Sequence, residues 1–260
     1  MSERIKVEIR SGLAVITLNR PEAYNAFDLE MIGELAGLLV RMAPDSGLAG
    51  IAVTGEGKAF CAGGDLRWLS VYEGEPDAAF HELASRYHQA ILEIRRMPKP
   101  VVAAINGLAA GGGFSLALAC DFRVMEESAA LKQGYTSNGL SIDGGGTYSL
   151  PRLVGLAKAM EIAAFDRIIH ADQALAWGLV TEMANDGKAL DRALGLLEEL
   201  KKMPLTSFAA SKRLLVDSLD TPFEVALEKE REALSQCSIH PNGREGVAAF
   251  LEKRYPVYNR

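Results

Sequence analysis

The run Val101–Cys120, VVAAINGLAAGGGFSLALAC, passes 20 residues without a charge. Such a run must leave water, either in a bilayer or inside a folded core. Its interior points to the core. It holds Asn106 and four glycines, and Asp121 follows at once. Val101–Ile105 is a β-branched strand pattern, and Asn106-Gly107 is a turn signal. The stretch opened by Gly111-Gly112-Gly113 is apolar all round, as a buried helix is. The predicted order is buried strand, loop, buried helix, and no membrane span is expected.

The flanking sequence keeps alternating strand and helix. Ile5–Ile9 and Ala14–Leu18 are β-rich runs parted by Ser11-Gly12, a hairpin signal. Asp28 is placed to cap a helix reaching Met42, with Met31, Ile32, Leu35, Leu38 and Leu39 at helical spacing. Gly50–Thr54 reads as a buried strand, Asp65–Tyr72 and Asp77–Arg96 as helices, and Asp121–Met125 as a short strand. In the second of those helices Phe80, Leu83, Ala84, Tyr87, Ile91 and Ile94 form one apolar stripe. After residue 155 the strands fade. Asn185–Lys202, Pro204–Leu219, Thr221–Gln236 and Asn242–Arg254 read as amphipathic helices. The fold class is α/β. No Pro/Ser/Gly linker marks a boundary. The expectation is an α/β core over residues 1–200 and a helical C-terminal region over 201–260 that packs on its own core or on a neighbouring subunit.

Composition excludes several classes. The net charge is −6, with 48% hydrophobic and 24% charged residues, and no basic block exists to hold nucleic acid. Three cysteines without a CxxC and four histidines without HExxH argue against a disulfide framework and against a zinc site. The charged start MSERIKVEIR is unlike a signal peptide. A cytoplasmic protein without a metal is expected.

Thirteen of the 25 glycines crowd into Gly55–Gly64, Gly107–Gly113 and Gly134–Gly146. In the first two windows a strand runs into glycines and then into a helix. Glycine lets a backbone N–H face a cleft, and the first amides of a helix lack partners and carry partial positive charge. Two such donors converging would form an oxyanion hole. Tight strand–helix packing would ask for the same glycines. Neither window is a dinucleotide or Walker loop, since GxGxxG and Gly-Lys-Ser/Thr are both absent. In the third window Asp143 stands between Ile142 and three glycines. There it could exchange protons, or it could cap the amides of the next helix.

Together, and in this order, these windows resemble the crotonase family, the enoyl-CoA hydratases and isomerases. Val102–Phe122 (VAAINGLAAGGGFSLALACDF) fits the family signature throughout. Leu18-Asn19-Arg20-Pro21 with Asn25-Ala26, the FCAGGDL stretch, Gly144–Gly155, Trp177-Gly178-Leu179-Val180 and the Gly243–Arg254 end also match. The resemblance covers nearly the whole chain. It implies a spiral of ββα units with a helical C-terminal trimerisation region, assembled as a homotrimer or a hexamer (dimer of trimers). It also implies an acyl-CoA thioester substrate, coenzyme A entering as part of that substrate with no separate cofactor. By resemblance, Gly64 and Gly112 hold the thioester oxygen. Ala62, Asp65, Leu66 and Arg67 contact the coenzyme A, and Lys253 reaches its phosphates on a neighbouring subunit. Trp68, Phe114 and Ser115 are candidates for the acyl pocket, with Tyr72 beside them.

The resemblance also marks a departure. Where the hydratases carry two glutamates, this chain has Ser115 and Tyr135, which replace carboxylates poorly at neutral pH. Asp143 falls where Δ3,Δ2-enoyl-CoA isomerases and ring-opening isomerases of phenylacetate breakdown place an acid/base aspartate. The same position carries the nucleophile of 4-chlorobenzoyl-CoA dehalogenases, which also show an aromatic residue at Tyr135, an arginine at Arg67 and a histidine at His88. The reading preferred here is double-bond isomerisation of an enoyl-CoA by Asp143. The alternatives are a hydratase-like lyase, a hydrolytic aryl-CoA dehalogenase using Asp143 and His88, and an acyl-CoA-binding protein without turnover.

Overall fold

The computed structural model describes residues 4–259. Two sheets carry the chain. The first holds β1 (Ile5–Arg10), β2 (Leu13–Leu18), β3 (Gly50–Gly55), β5 (Val101–Ile105), β7 (Phe122–Glu126) and β10 (Glu182–Ala184), side by side in that order. The second orders β4 (Ala59–Cys61), β6 (Leu108–Ala110), β8 (Ala130–Lys132) and β9 (Ile169–His170). β1 and β2 form the expected antiparallel hairpin, turning at Ser11 and Gly12, and the remaining pairs of the first sheet are parallel.

The long strands are apolar on both faces because both faces are covered. Side chains alternate across a strand. Ala14, Ile16, Ile51, Val53, Val101 and Ala103 point into the main core with α1 (Leu29–Met42) and α3 (Pro76–Arg96). Their neighbours Leu13, Ala52, Val102, Ala104 and Val124 meet Ala189, Ala193 and Leu197 of α7 (Ala189–Lys201). A parallel strand buried on both faces reads as a continuous apolar run, and this is why Val101–Ile105 looks membrane-like. The uncharged segment is β5, β6 and the short buried helix α4 (Gly112–Ala119). Among the described residues no helix is long and apolar enough to cross a membrane.

Strand, strand and helix recur. β3 is followed by β4 and α2 (Leu66–Ser70), β5 by β6 and α4, and β7 by β8 and α5 (Gly146–Phe165). Every turn of this spiral delivers a loop between the second sheet and a helix to one side of the molecule. Those loops are the three glycine windows. The chain then adds α6 (Ala171–Ala176), α7, α8 (Leu205–Asp217), α9 (Phe223–Ile239) and α10 (Pro241–Leu251). Asp28 caps α1 as predicted, its carboxylate accepting the Met31 amide at 3.0 Å.

Three expectations need correction. The helix expected at Asp65–Tyr72 is only Leu66–Ser70, because Asp65 is its cap rather than its first residue. Phe80 does not join the core stripe of α3. It stays 38% exposed, and Ala79 takes the core position instead. The strands β4, β6, β8, β9 and β10 did not register in the sequence, because two or three residues carry no period.

Candidate active site

The loops of the spiral enclose a cavity of about 540 Å³ between the second sheet, α2 and α3. Gly64, Gly112, Tyr135 and Asp143 all line it, with an apolar wall that includes Leu66, Leu69, Leu83 and Ile142.

The two glycine amides are placed by different means. Gly112 is the first residue of α4, so its N–H has no intrahelical acceptor. A Cβ at that position would sit 2.6 Å from the Phe27 ring, so only glycine fits without moving that ring. Gly64 pairs with Phe27 in an isolated parallel bridge. The Phe27 amide donates to the Gly63 carbonyl at 2.8 Å, and the Asp65 amide donates to the Phe27 carbonyl at 2.9 Å. The bridge therefore uses the groups flanking Gly64 and leaves its own N–H on the opposite side. Both glycines line the same cavity, and an oxyanion hole would draw on two backbone amides there.

Asp143 approaches from the third window. It is not a helix cap. Gly145 occupies the cap position of α5 and no side chain caps that helix. The Asp143 carboxylate instead meets His88 of α3, Nε2 to Oδ1, at 2.5 Å. Its backbone carbonyl accepts from the Ser115 hydroxyl at 2.7 Å. His88 lies outside the cavity. It lines a neighbouring hollow of about 600 Å³ with Arg95, Tyr148, Asp220 and Lys229. Asp143 thus stands in the partition, lining the cavity on one side and meeting a half-exposed imidazole on the other.

Tyr135 is half-buried beside them. Burial, then the Asp143 charge, pushes its phenol well above the ordinary tyrosine range. It is a neutral hydrogen-bond donor at working pH and not a base.

The other sequence candidates divide. Ala62 and Leu66 line the cavity. Asp65 lies outside the cavity lining. It is 8% exposed, accepts the Arg67 and Trp68 amides at 3.0 and 3.3 Å, and pairs with Arg20 at 2.8 Å, so its carboxylate is consumed internally. Phe114 is not pocket wall but core, 3% exposed. Trp68 packs on the core and edge-on to Tyr72, with ring centroids 5.4 Å apart. Neither ring lines the cavity. Ser115 is buried behind it and acts on the Asp143 backbone. Arg67 does not line the cavity, and nor does Lys253, which sits with φ 55° in the turn after α10.

Sequence reasoning missed the cavity face of α3. Asp77, Phe80, His81 and Ala84 line the cavity beside Leu83 and Tyr87. Their i, i+3, i+4, i+7 spacing was the available signal, hidden because it overlaps the core stripe.

Comparison with known proteins agrees with this geometry. The family model described as enoyl-CoA hydratase/isomerase matches residues 8–260. A probable enoyl-CoA hydratase from Rhodobacter capsulatus is 39% identical over 256 residues, spanning 98% of this chain and 97% of that protein. The 1,2-epoxyphenylacetyl-CoA isomerase of Escherichia coli is 33% identical over 259 residues, spanning 99% of each. The crystal structure of an enoyl-CoA hydratase from Polaromonas sp. JS666 superposes with a TM-score of 0.93 at 37% identity, covering 98% of this chain and 99% of that one. The chain belongs to the enoyl-CoA hydratase/isomerase family and has the crotonase fold. It is an enzyme acting on an acyl-CoA.

Proposed function

We propose that this enzyme moves a carbon–carbon double bond along an enoyl-CoA, with Asp143 carrying the proton. Starting from a 3-enoyl thioester, the Asp143 carboxylate takes a proton from the α-carbon. The C–H electron pair shifts into the thioester, forming a dienolate with its charge on oxygen. The Gly64 and Gly112 amides receive that oxygen, and a positioned donor of this kind lowers the barrier by about 3 kcal/mol. Asp143 then returns the proton to the γ-carbon, and the double bond ends conjugated to the thioester. One carboxylate suffices because proton removal and return use the same group. No cofactor beyond the coenzyme A portion of the substrate is required.

The observation that carries this reading is that Asp143 lines the same cavity as Gly64 and Gly112. Hydration would need a second group to activate water. The Ser115 hydroxyl is engaged with the Asp143 carbonyl, and Tyr135 is held neutral. In the test, a 3-enoyl-CoA is converted to its conjugated isomer without water uptake, followed by absorbance. Asp143→Asn is expected to lower kcat by about 10²–10⁴.

The His88 contact supports a second reading, in which Asp143 attacks an aryl carbon and His88 activates the water that cleaves the resulting ester. It expects halide release from an aryl-CoA and label from heavy-oxygen water in Asp143 after one turnover. An unlabelled Asp143 excludes it.

A further inference from the structure

Tyr87 of α3 is 1% exposed, yet its hydroxyl and ring reach each part of the proposed machinery. The hydroxyl donates to the carbonyl of Gly112. The ring stacks on Phe27 with centroids 4.8 Å apart and planes 28° from parallel. Phe27 in turn makes the backbone bridge to Gly64, and its ring lies where a Cβ on Gly112 would be. On its other side the Tyr87 ring fills the space next to Gly144, where a Cβ would meet it at 2.3 Å, and Gly144 directly follows Asp143.

Backbone segments rich in glycine have more conformations open to them than others. An oxyanion hole works only if its donors are held to within about 0.5 Å of the productive geometry. Glycine cannot supply that restraint itself, so a neighbour must. Between them the two rings touch both amide-bearing segments and the Asp143 loop. Burial, then Tyr135 nearby, pushes the Tyr87 phenol well above its ordinary range, which keeps it a donor.

We propose that Tyr87, with Phe27 stacked on it, is a positioning residue that fixes the Gly112 amide against the Gly64 amide and seats the Asp143 loop beside them. This rests on the reading that those two amides hold the thioester oxygen. Its effect belongs to the transition state rather than to substrate affinity, so it falls on kcat and not on KM.

Tyr87→Phe keeps the ring and the stack and removes one hydroxyl. The probe is 3-phenylacryloyl-CoA, whose absorption band moves to longer wavelength when its thioester carbonyl is polarised. Wild type is expected to shift the band on binding. Tyr87→Phe is expected to bind the probe within about twofold of wild type while losing half or more of the shift, with kcat on a 3-enoyl-CoA falling about tenfold or more at near-constant KM. A residue that merely supports the fold would lower the melting temperature and leave the shift of the bound probe intact. A full shift and full kcat in Tyr87→Phe overturn the proposal. A wild-type enzyme that binds the probe without any shift overturns the oxyanion-hole reading itself, a distinct result. Should Tyr87→Phe fail to fold, Phe27→Leu reads the same tie from the other ring. A reduced shift supports positioning, and an unchanged shift overturns it.

Discussion

Asp65 shows how much of a residue's role depends on its neighbours. Burial alone would raise its carboxyl. The Arg20 guanidinium and the Trp68 and Arg67 amides outweigh that and hold it below the usual aspartate value. A carboxyl depressed on folding stabilises the protein above its unfolded pKa, about 4, and that contribution is lost as pH falls through the folded value. Asp65→Ala is expected to cost about 2 kcal/mol at neutral pH, from the lost cap and the lost half-buried pair with Arg20. The difference from wild type should shrink as pH drops below about 4. Urea midpoints measured across that range check both the size and the sign. In the sequence, the family resemblance made Asp65 a candidate coenzyme A contact. Its carboxylate caps α2 and also pairs with Arg20, 45 positions away. Such a partner has no local signature. For Asp143 the sequence left proton exchange and a helix cap both open; the structure puts its carboxylate on His88 and leaves α5 without a side-chain cap.

At the level of elements, α8 is tied to the core by one buried cation. Lys212 Nζ donates to the Ile94 and Lys99 carbonyls at 2.8 and 3.2 Å and pairs with Asp121 at 2.8 Å. Asp121 also accepts the Val101 amide at the start of β5. Removing one partner of a buried pair leaves the other charged and unmatched, at about 3–5 kcal/mol. Lys212→Met should destabilise by that amount in denaturant titration. Adding Asp121→Asn should recover part of the loss, because the uncompensated charge goes with it. Long amphipathic helices such as α1 and α3 were readable to within a residue or two at their ends, since fourteen and 21 residues give several turns of period. The three-residue strands of the second sheet give none, yet they aim the glycine loops. The part of the fold that positions the site was therefore the part least visible in the sequence. Phe80 went astray for a related reason: one face of α3 packs the core, the adjacent face lines the cavity, and Phe80 and Ala84 on the cavity face extend the apolar stripe of the core face.

Across the whole molecule, the spiral of strand–strand–helix units presents three loops to one cavity, and the C-terminal helices leave apolar surface outside. Leu219, Phe223, Leu234, Phe250 and Tyr255 are each more than two-thirds exposed in the single chain. So many exposed large apolar side chains near one end of the chain are costly in water. We propose that further copies of this chain cover them, as a trimer or a dimer of trimers. Sedimentation should then give three or six times the monomer mass at micromolar concentration, whereas a monomer there would refute the assembly. The family resemblance was legible because glycine spacing is a demand of the backbone and survives change in the side chains around it. The acyl group was not, since the wall that surrounds it is assembled from α2, α3 and the loop before α5, far apart in sequence. The most direct measurement is the rate at which a 3-enoyl-CoA becomes the conjugated 2-enoyl isomer, compared between wild type and Asp143→Asn. Conversion by wild type, without water uptake and slowed about 10²-fold or more by the substitution, is the expected result. Full-rate conversion by Asp143→Asn would contradict the assignment of Asp143 as the proton carrier.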